Sequence, residues 1–263
     1  GYPDLYPNSQ QFTGSINVPW VGISTQVSGM TAYASYGQGV EQFVTPNTAS
    51  YGSNAGTQLG VGRSYQTEVG LRSVPSQSKF EWNAAVFEIS RPYAHDLTDG
   101  NGIITRYVDG TETHQGLDLG ANWISNQWKL NTQTQLLNTK ISGVQQSPEL
   151  VGTTPVNVPK FILRAMAEYR YPSMPGLRTS LRLSHEGQRN VTEDGSVMLP
   201  SWTTLDAFAH YDTKINNVAS TWTLAIQNLQ DKRYWRESPK EFDHYYLYPG
   251  APRTFRVTAQ FRM

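Results

Sequence analysis

Hydrophobic and polar positions alternate with a period of two along most of this chain. In the last segment Phe255, Val257, Ala259, Phe261 and Met263 share one parity, while Arg256, Thr258, Gln260 and Arg262 share the other. Successive side chains of a strand point to opposite faces, so such a run predicts a strand with one apolar and one polar face. The preceding segment repeats it, with Trp222, Leu224 and Ile226 against Thr221, Thr223 and Gln227. So do Leu205, Ala207, Ala209 and Tyr211 against Thr204, Asp206 and His210, and Leu177, Leu181 and Leu183 against Arg178, Ser180 and Arg182. Further runs start at Phe161, Trp128, Leu117, Phe80 and Tyr65, and two looser ones cover 16–27 and 30–42. Together they predict about eleven strands, each near the 9–11 residues that a tilted membrane strand needs. Apolar faces almost free of charge, opposite charged and amide faces, predict a transmembrane antiparallel β-barrel wall between lipid and a watery lumen.

The connections support this orientation. Short ones fall near Ser28-Gly29, 74–79, 125–127, 172–176 and 214–218, and long ones near 43–63, 91–112, 143–159, 187–202 and 236–252. Short periplasmic turns and long extracellular loops mark the two ends of a bacterial outer-membrane barrel. Trp123, Trp128, Tyr171 and Tyr211 lie beside short turns, where a periplasmic aromatic girdle belongs. An odd strand count has a consequence. Single-chain bacterial barrels have even counts, and an open edge in hydrocarbon leaves backbone groups unpaired at several kcal/mol each. The expectation is that this chain cannot close a barrel alone and that another chain or fragment completes it.

Composition narrows the remaining classes. The 263 residues carry 21 basic and 21 acidic side chains, which gives no electrostatic footprint for nucleic acid. Zero cysteines exclude disulfides, thiolate metal sites and cysteine nucleophiles. No apolar run approaches the roughly 18 residues of a spanning helix. The first residues, GYPDLYPNSQQ, hold no signal peptide, so an exported start is expected elsewhere. No nucleophile elbow, HExxH, P-loop or Rossmann fingerprint is present, and no enzyme activity or cofactor is expected. The stretch from Asp96 to Gly102 lacks the ligand spacing and distal Glu of a calcium loop and reads as a turn.

Two stretches carry a resemblance. Asn228, Leu229, Asp231, Lys232 and Tyr234 form an N-L-x-D-K-x-Y strand end, followed after a loop by Gly250, Pro252, Arg253, Thr254 and Val257. Upstream, Tyr33, Ala34, Ser35, Tyr36, Gln38 and Glu41 lead into Glu68, Gly70 and Leu71. Their order and spacing, from about Val18 onward, resemble the C-terminal part of TonB-dependent outer-membrane receptors, in the ferric-siderophore branch. The resemblance implies a barrel of about 22 strands, of which this chain supplies the second half. It also implies an N-terminal plug with the TonB-contacting segment, neither of which has a counterpart in these residues. The expected partners are that plug and half-barrel fragment or chain, the TonB complex through it, outer-membrane lipid and a ferric siderophore or similar metal chelate. Met263 stands where the family has an aromatic residue, with Phe261 two positions before it.

The resemblance implies active import of the chelate across the outer membrane. A passive porin-like channel built from several chains is the alternative, and a soluble lectin-like sandwich would instead pack its Leu and Val faces together. Inward charges such as Arg164, Glu168, Arg178, Arg182, Asp206, Arg256 and Arg262 are expected to pair across strands and with a plug. Ligand contacts are expected at the extracellular end. Trp235, Arg236, His244, Tyr245 and Tyr246 of the last loop offer aromatic faces and a cation to an anionic chelate, with Tyr93 and His95 on the 91–112 loop beside them.

Overall fold

A computed structural model describes residues 14–74, 79–241 and 244–262. Eleven strands form one antiparallel sheet in strict sequence order: β1 (Trp20–Val27), β2 (Met30–Val44), β3 (Gln58–Ser73), β4 (Phe80–Thr98), β5 (Ile104–Ile124), β6 (Trp128–Ser142), β7 (Phe161–Arg170), β8 (Leu177–Glu186), β9 (Trp202–Ile215), β10 (Val218–Gln227) and β11 (Thr254–Arg262). Among the described residues helix is confined to two short 3₁₀ turns, Ala49–Asn54 and Pro148–Leu150. No helix among the described residues is long and apolar enough to cross a membrane. The expected strand at 16–27 starts at Trp20, and the parity expected of Met263 lies outside the described residues, as does most of the turn at 74–79.

Register carries the apolar parity from strand to strand without a slip. Ile23, Ala34, Val69, Val86, Leu117, Leu136 and Phe161 are successive cross-strand neighbours. A second row joins Trp123, Leu130, Ala167, Leu181, Ala207, Ile226 and Phe255. A one-residue slip at any pair would turn every later apolar side chain to the other face. The opposite face puts Asn83, Gly120, Gln133, Arg164, Ser184 and Thr204 in a row. Among the described residues nothing covers the apolar face: Val86 is 56% exposed, Leu181 48% and Val257 69%. This is the reverse of a two-sheet sandwich, whose apolar faces cover each other, and it is the surface that lipid requires.

Turn chemistry fixes the hairpins at one end. Ser28 and Gly29 have φ of 50° and 77°, and Asn216 and Asn217 have 49° and 65°. Positive φ at both central residues matches the right-handed twist of the flanking strands. Beside the adjoining turns Trp128 meets Tyr169 at a tilt at 4.8 Å, and Tyr169 meets Tyr171 edge to face at 4.9 Å. Trp222 meets Phe261 at 6.2 Å in the same band.

The other end departs from expectation. The 91–112 segment is not a loop: β4 and β5, with 19 and 21 residues, stay paired out to Thr98 and Ile104. Both are about twice the length that spans a bilayer, so their ends project as a rigid hairpin. Its turn is held by Asp99, whose Oδ1 accepts from the N–H groups of Asn101 and Ile103 at 2.9 and 2.8 Å.

At the sheet's sides, β1 and β11 are edge strands, each exposed along its whole length.

Candidate functional site

The wall's polar face is crossed by ion pairs that take in Arg164, Glu168, Arg178, Arg182 and Asp206 of the expected set, whereas Arg256 and Arg262 on the edge strand make none among the described residues. Arg182 chelates Oδ2 of Asp206 through Nε and Nη2 at 2.9 and 2.6 Å. Arg164 pairs with Glu186, and Arg178 with Asp212. Asp206 also accepts the Asn228 N–H at 2.7 Å through Oδ1, so the wall pair anchors the base of the last long connection.

That base is assembled from the residues that stood out in the sequence. Asn228 and Asp231 take left-handed φ of 51° and 53°. The Asn228 side-chain amide donates to the Lys232 and Ala251 carbonyls at 2.8 and 3.0 Å, and its Oδ1 accepts the Lys232 N–H. Asp231 accepts the Arg253 N–H at 3.1 Å. Tyr234 stacks on buried Trp202 at 4.7 Å, and its ring lies 2.1 Å from where a Cβ of Gly250 would stand. Only glycine fits there. Tyr33 does the same further back: its ring carbon lies 2.5 Å from a Cβ position at Gly70, and its hydroxyl donates to Glu68 at 2.7 Å. The recurrent residues are therefore staples of the loop base and the lumen face.

Above them the long connections pack into a cap. Tyr93, Ile141, Val144 and Leu150 form a buried apolar cluster under the projecting hairpin. Asn157 draws three connections together, its Oδ1 accepting from Arg189 Nη1 at 3.2 Å and from the Ser238 N–H at 3.0 Å. Tyr51 and Arg106 close on Asp96, with Tyr51 donating at 2.9 Å and Arg106 bidentate at 2.8 Å. Burial raises the Asp96 pKa, but the Arg106 bonds and charge outweigh it and leave the carboxyl below its ordinary value.

The seven expected ligand residues divide in two. Trp235, Arg236, His244 and Tyr245 are exposed on the small ladders Trp235–Glu237 with Tyr248–Pro249 and Lys240–Glu241 with His244–Tyr245, and exposed Tyr246 follows directly, its N–H donating to the Pro239 carbonyl at 3.0 Å. His244 and Tyr246 meet edge to face at 6.5 Å, and the Arg236 guanidinium is paired with neighbouring Glu237. Tyr93 and His95 are instead buried, at 8% and 2% exposed. His95 is stacked between Tyr93 and Tyr107 at 6.1 and 5.8 Å, bonded to Asp109 Oδ1 at 2.9 Å, and its Nδ1 lies 3.4 Å from the Ser147 hydroxyl. Placing them at an open loop surface is corrected: the hairpin continues as sheet here, and its inner side is covered by the 143–159 connection. Burial, then the charge of Glu193, pushes the Tyr93 phenol well above its ordinary pKa.

One contact links the two groups. Tyr93 donates to Glu193 Oε1 at 3.3 Å, Lys240 Nζ bonds Glu193 Oε2 at 3.0 Å, and Nζ stands 5.6 Å from the Tyr245 ring centroid. Sequence reasoning missed both charged residues. Lys240 had a signal, since it is the nearest cation to the HYYLY aromatic run; Glu193 in VTEDG had none.

The chain matches the family described as TonB dependent receptor-like, beta-barrel, over residues 3–229. It belongs to the TonB-dependent receptor barrel family. Receptors of this family are outer-membrane proteins. The chain is 26% identical over 208 residues to the ferrichrome receptor FcuA of Yersinia enterocolitica, covering 78% of this chain and 26% of FcuA. It is 29% identical over 110 residues to the metal-pseudopaline receptor CntO of Pseudomonas aeruginosa, covering 41% of this chain and 15% of CntO. In fold it resembles BauA, the ferric preacinetobactin receptor of Acinetobacter baumannii, with TM-score 0.73 at 23% identity over 93% of this chain and 36% of that one. The ferric citrate transporter FecA superposes with TM-score 0.71 at 15% identity over 92% of this chain and 37% of FecA. The matched part thus spans between 15% and 37% of the length of these relatives.

Proposed function

We propose that this chain is part of the wall and loop cap of an outer-membrane receptor that imports a ferric siderophore or similar metal chelate with energy supplied through TonB. The observation that carries the reading is the family match across residues 3–229, joined to a sheet with an unpacked apolar face and an ion-paired polar face. The two open edges support completion by further strands, because unpaired ladder groups in hydrocarbon cost several kcal/mol each. We assign those strands, some eleven by the family's barrel size, and the plug with its TonB contact to a partner fragment or chain. Transport of this kind makes and breaks no covalent bond, so no catalytic residue is assigned.

The exposed aromatics Trp235, Tyr245 and Tyr246, with His244 and Arg236, are the proposed chelate contacts, and buried Tyr93 and His95 support the surface from beneath. The test is uptake of radio-iron chelates by iron-starved cells carrying the complete receptor, with and without TonB. Uptake that requires TonB supports the reading. Equal uptake in both backgrounds indicates a passive pore, and no uptake of any ferric chelate removes the reading.

A further inference from the structure

The Glu193–Lys240 pair ties the tip of the last connection to the projecting hairpin, and its chemistry suggests more than a brace. The pair is largely shielded but not sealed: the Lys240 and Glu193 side chains are 13% and 18% exposed. Its ammonium is shared between a carboxylate oxygen at 3.0 Å and the face of Tyr245, a residue 40% exposed. The carboxylate is oriented from the other side by Tyr93, a buried residue of the sheet that cannot follow the loop. A cation held against an exposed aromatic face, with its anionic partner donated by a different connection, is built like an anion site already filled by the protein's own carboxylate.

Resting on the proposed function above, we infer that Lys240 is a charge-selecting ligand residue and that Glu193 is its internal placeholder, displaced when an anionic metal chelate seats on Tyr245. The anionic oxygen of the chelate replaces the Glu193 carboxylate on Lys240 Nζ. Tyr93 retains the freed carboxylate on the hairpin, which keeps it from following the loop and recapturing the ammonium. The loop tip that bore the chelate contacts is thereby untied from the hairpin. A neutral chelate has no such exchange to offer. Tyr93 is a positioning residue in this scheme, and Glu193 sets the charge threshold of the site.

The experiment compares Glu193→Gln and Lys240→Gln with wild type in the complete receptor. The probes are a ferric tris-catecholate, which is trianionic, and a ferric tris-hydroxamate, which is neutral. Both substitutions are close in shape to the native side chain, and circular dichroism with heat-modified gel mobility confirms a closed barrel. The expected result is opposite signs: about tenfold tighter binding of the tris-catecholate by Glu193→Gln and about tenfold weaker binding by Lys240→Gln, the scale of one charge-assisted hydrogen bond. Affinity for the tris-hydroxamate stays unchanged. A simple brace predicts that both variants weaken binding together, and that result overturns the inference while leaving receptor function intact. Wild type that binds only the neutral chelate overturns it as well. Wild type that binds neither chelate removes the functional reading itself.

Discussion

Leu181 in the wall and Ile141 in the cap are both aliphatic side chains on strands, yet one is 48% exposed and the other wholly buried. In the wall, sheet hydrogen bonds hold the chain together and side chains on the apolar face touch only their cross-strand neighbours. In the cap, the same β5 and β6 strands run on beyond bilayer height, and the 143–159 connection folds over their inner side to bury Tyr93, Ile141, Val144 and Leu150. The difference shows where each region draws its stability. The wall depends on the solvent around it being lipid; the cap buries a small apolar core of its own, which surrounding water favours.

The largest expected effect follows from the cap's close packing. Ile141→Ala leaves a cavity among Tyr93, Val144 and Leu150 and should cost about 2–5 kcal/mol of local stability. Hydrogen exchange in the complete receptor should show the loss confined to the 141–153 backbone bonds, since the Ile141 N–H donates to the Thr153 carbonyl and the Ile141 carbonyl accepts the Gly152 N–H across that loop. Loss of protection spread evenly through the wall would show that cap and wall are one cooperative unit.

Next comes Leu181→Arg, which puts a charge on the lipid face and should cost roughly 2–4 kcal/mol near the bilayer midplane. Its control lies on the other parity. Arg182 is a poor choice, because removing it strands buried Asp206 without its guanidinium. Gln135 lies on the polar face opposite Asp118, and Gln135→Arg should be nearly neutral. Urea titration of the receptor in lipid vesicles reads both, and equal costs would sink the assignment of faces.

Most of the wall was legible because one variable, parity, determines it. The strands from β2 to β10 each keep one parity almost wholly apolar through the wall, with exceptions such as Phe87, Ile162 and Phe208 on the other face, and the register of each hairpin follows from which face is buried in lipid. The projecting hairpin was not legible. The run Arg91 to Glu112 mixes His, Asp, Pro, Gly and Tyr with no two-residue period, because above the membrane neither face of β4 and β5 meets a uniform solvent. One face meets loops and the other meets water. The same reason hid the role of His95: its burial comes from Tyr107 and Ser147, residues remote in sequence. Glu193 was invisible for a further reason, since a lone carboxylate in a turn-rich stretch gives no sign of which cation lies across the loop.

A mid-sized effect tests the staple that joins the two regions. Asn228→Ala removes acceptor and donor bonds to Lys232 and Ala251 and leaves two carbonyls underserved, which should cost about 1–3 kcal/mol. Because Asn228 sits on Asp206 at the wall's top, thermal unfolding should show the 228–253 connection loosening before the barrel. Coincident transitions would place the staple within the wall's own cooperative unit.

The smallest effect separates the regions by pH. Asp109 sits at the bulge of the projecting hairpin, where its Oδ2 accepts the N–H groups of Gln145 and Gln146, each at 3.0 Å. Burial would raise its pKa, but these two bonds and the His95 contact outweigh burial and hold the carboxyl below its ordinary value. A carboxyl whose folded pKa is depressed adds stability that is complete above the unfolded value, about 3.9 for Asp, and lost as pH falls through the folded one. The 143–153 connection should therefore detach from the hairpin below about pH 4, while the lipid-facing rows, which contain no titratable group between Ile23 and Phe161, stay paired. Protease nicking near Gln145 as pH is lowered is the readout, and Asp109→Asn should give the acid pattern at neutral pH. Nicking that is independent of pH would mean that Asp109 does not hold the cap to the hairpin, and that the apolar cluster alone does.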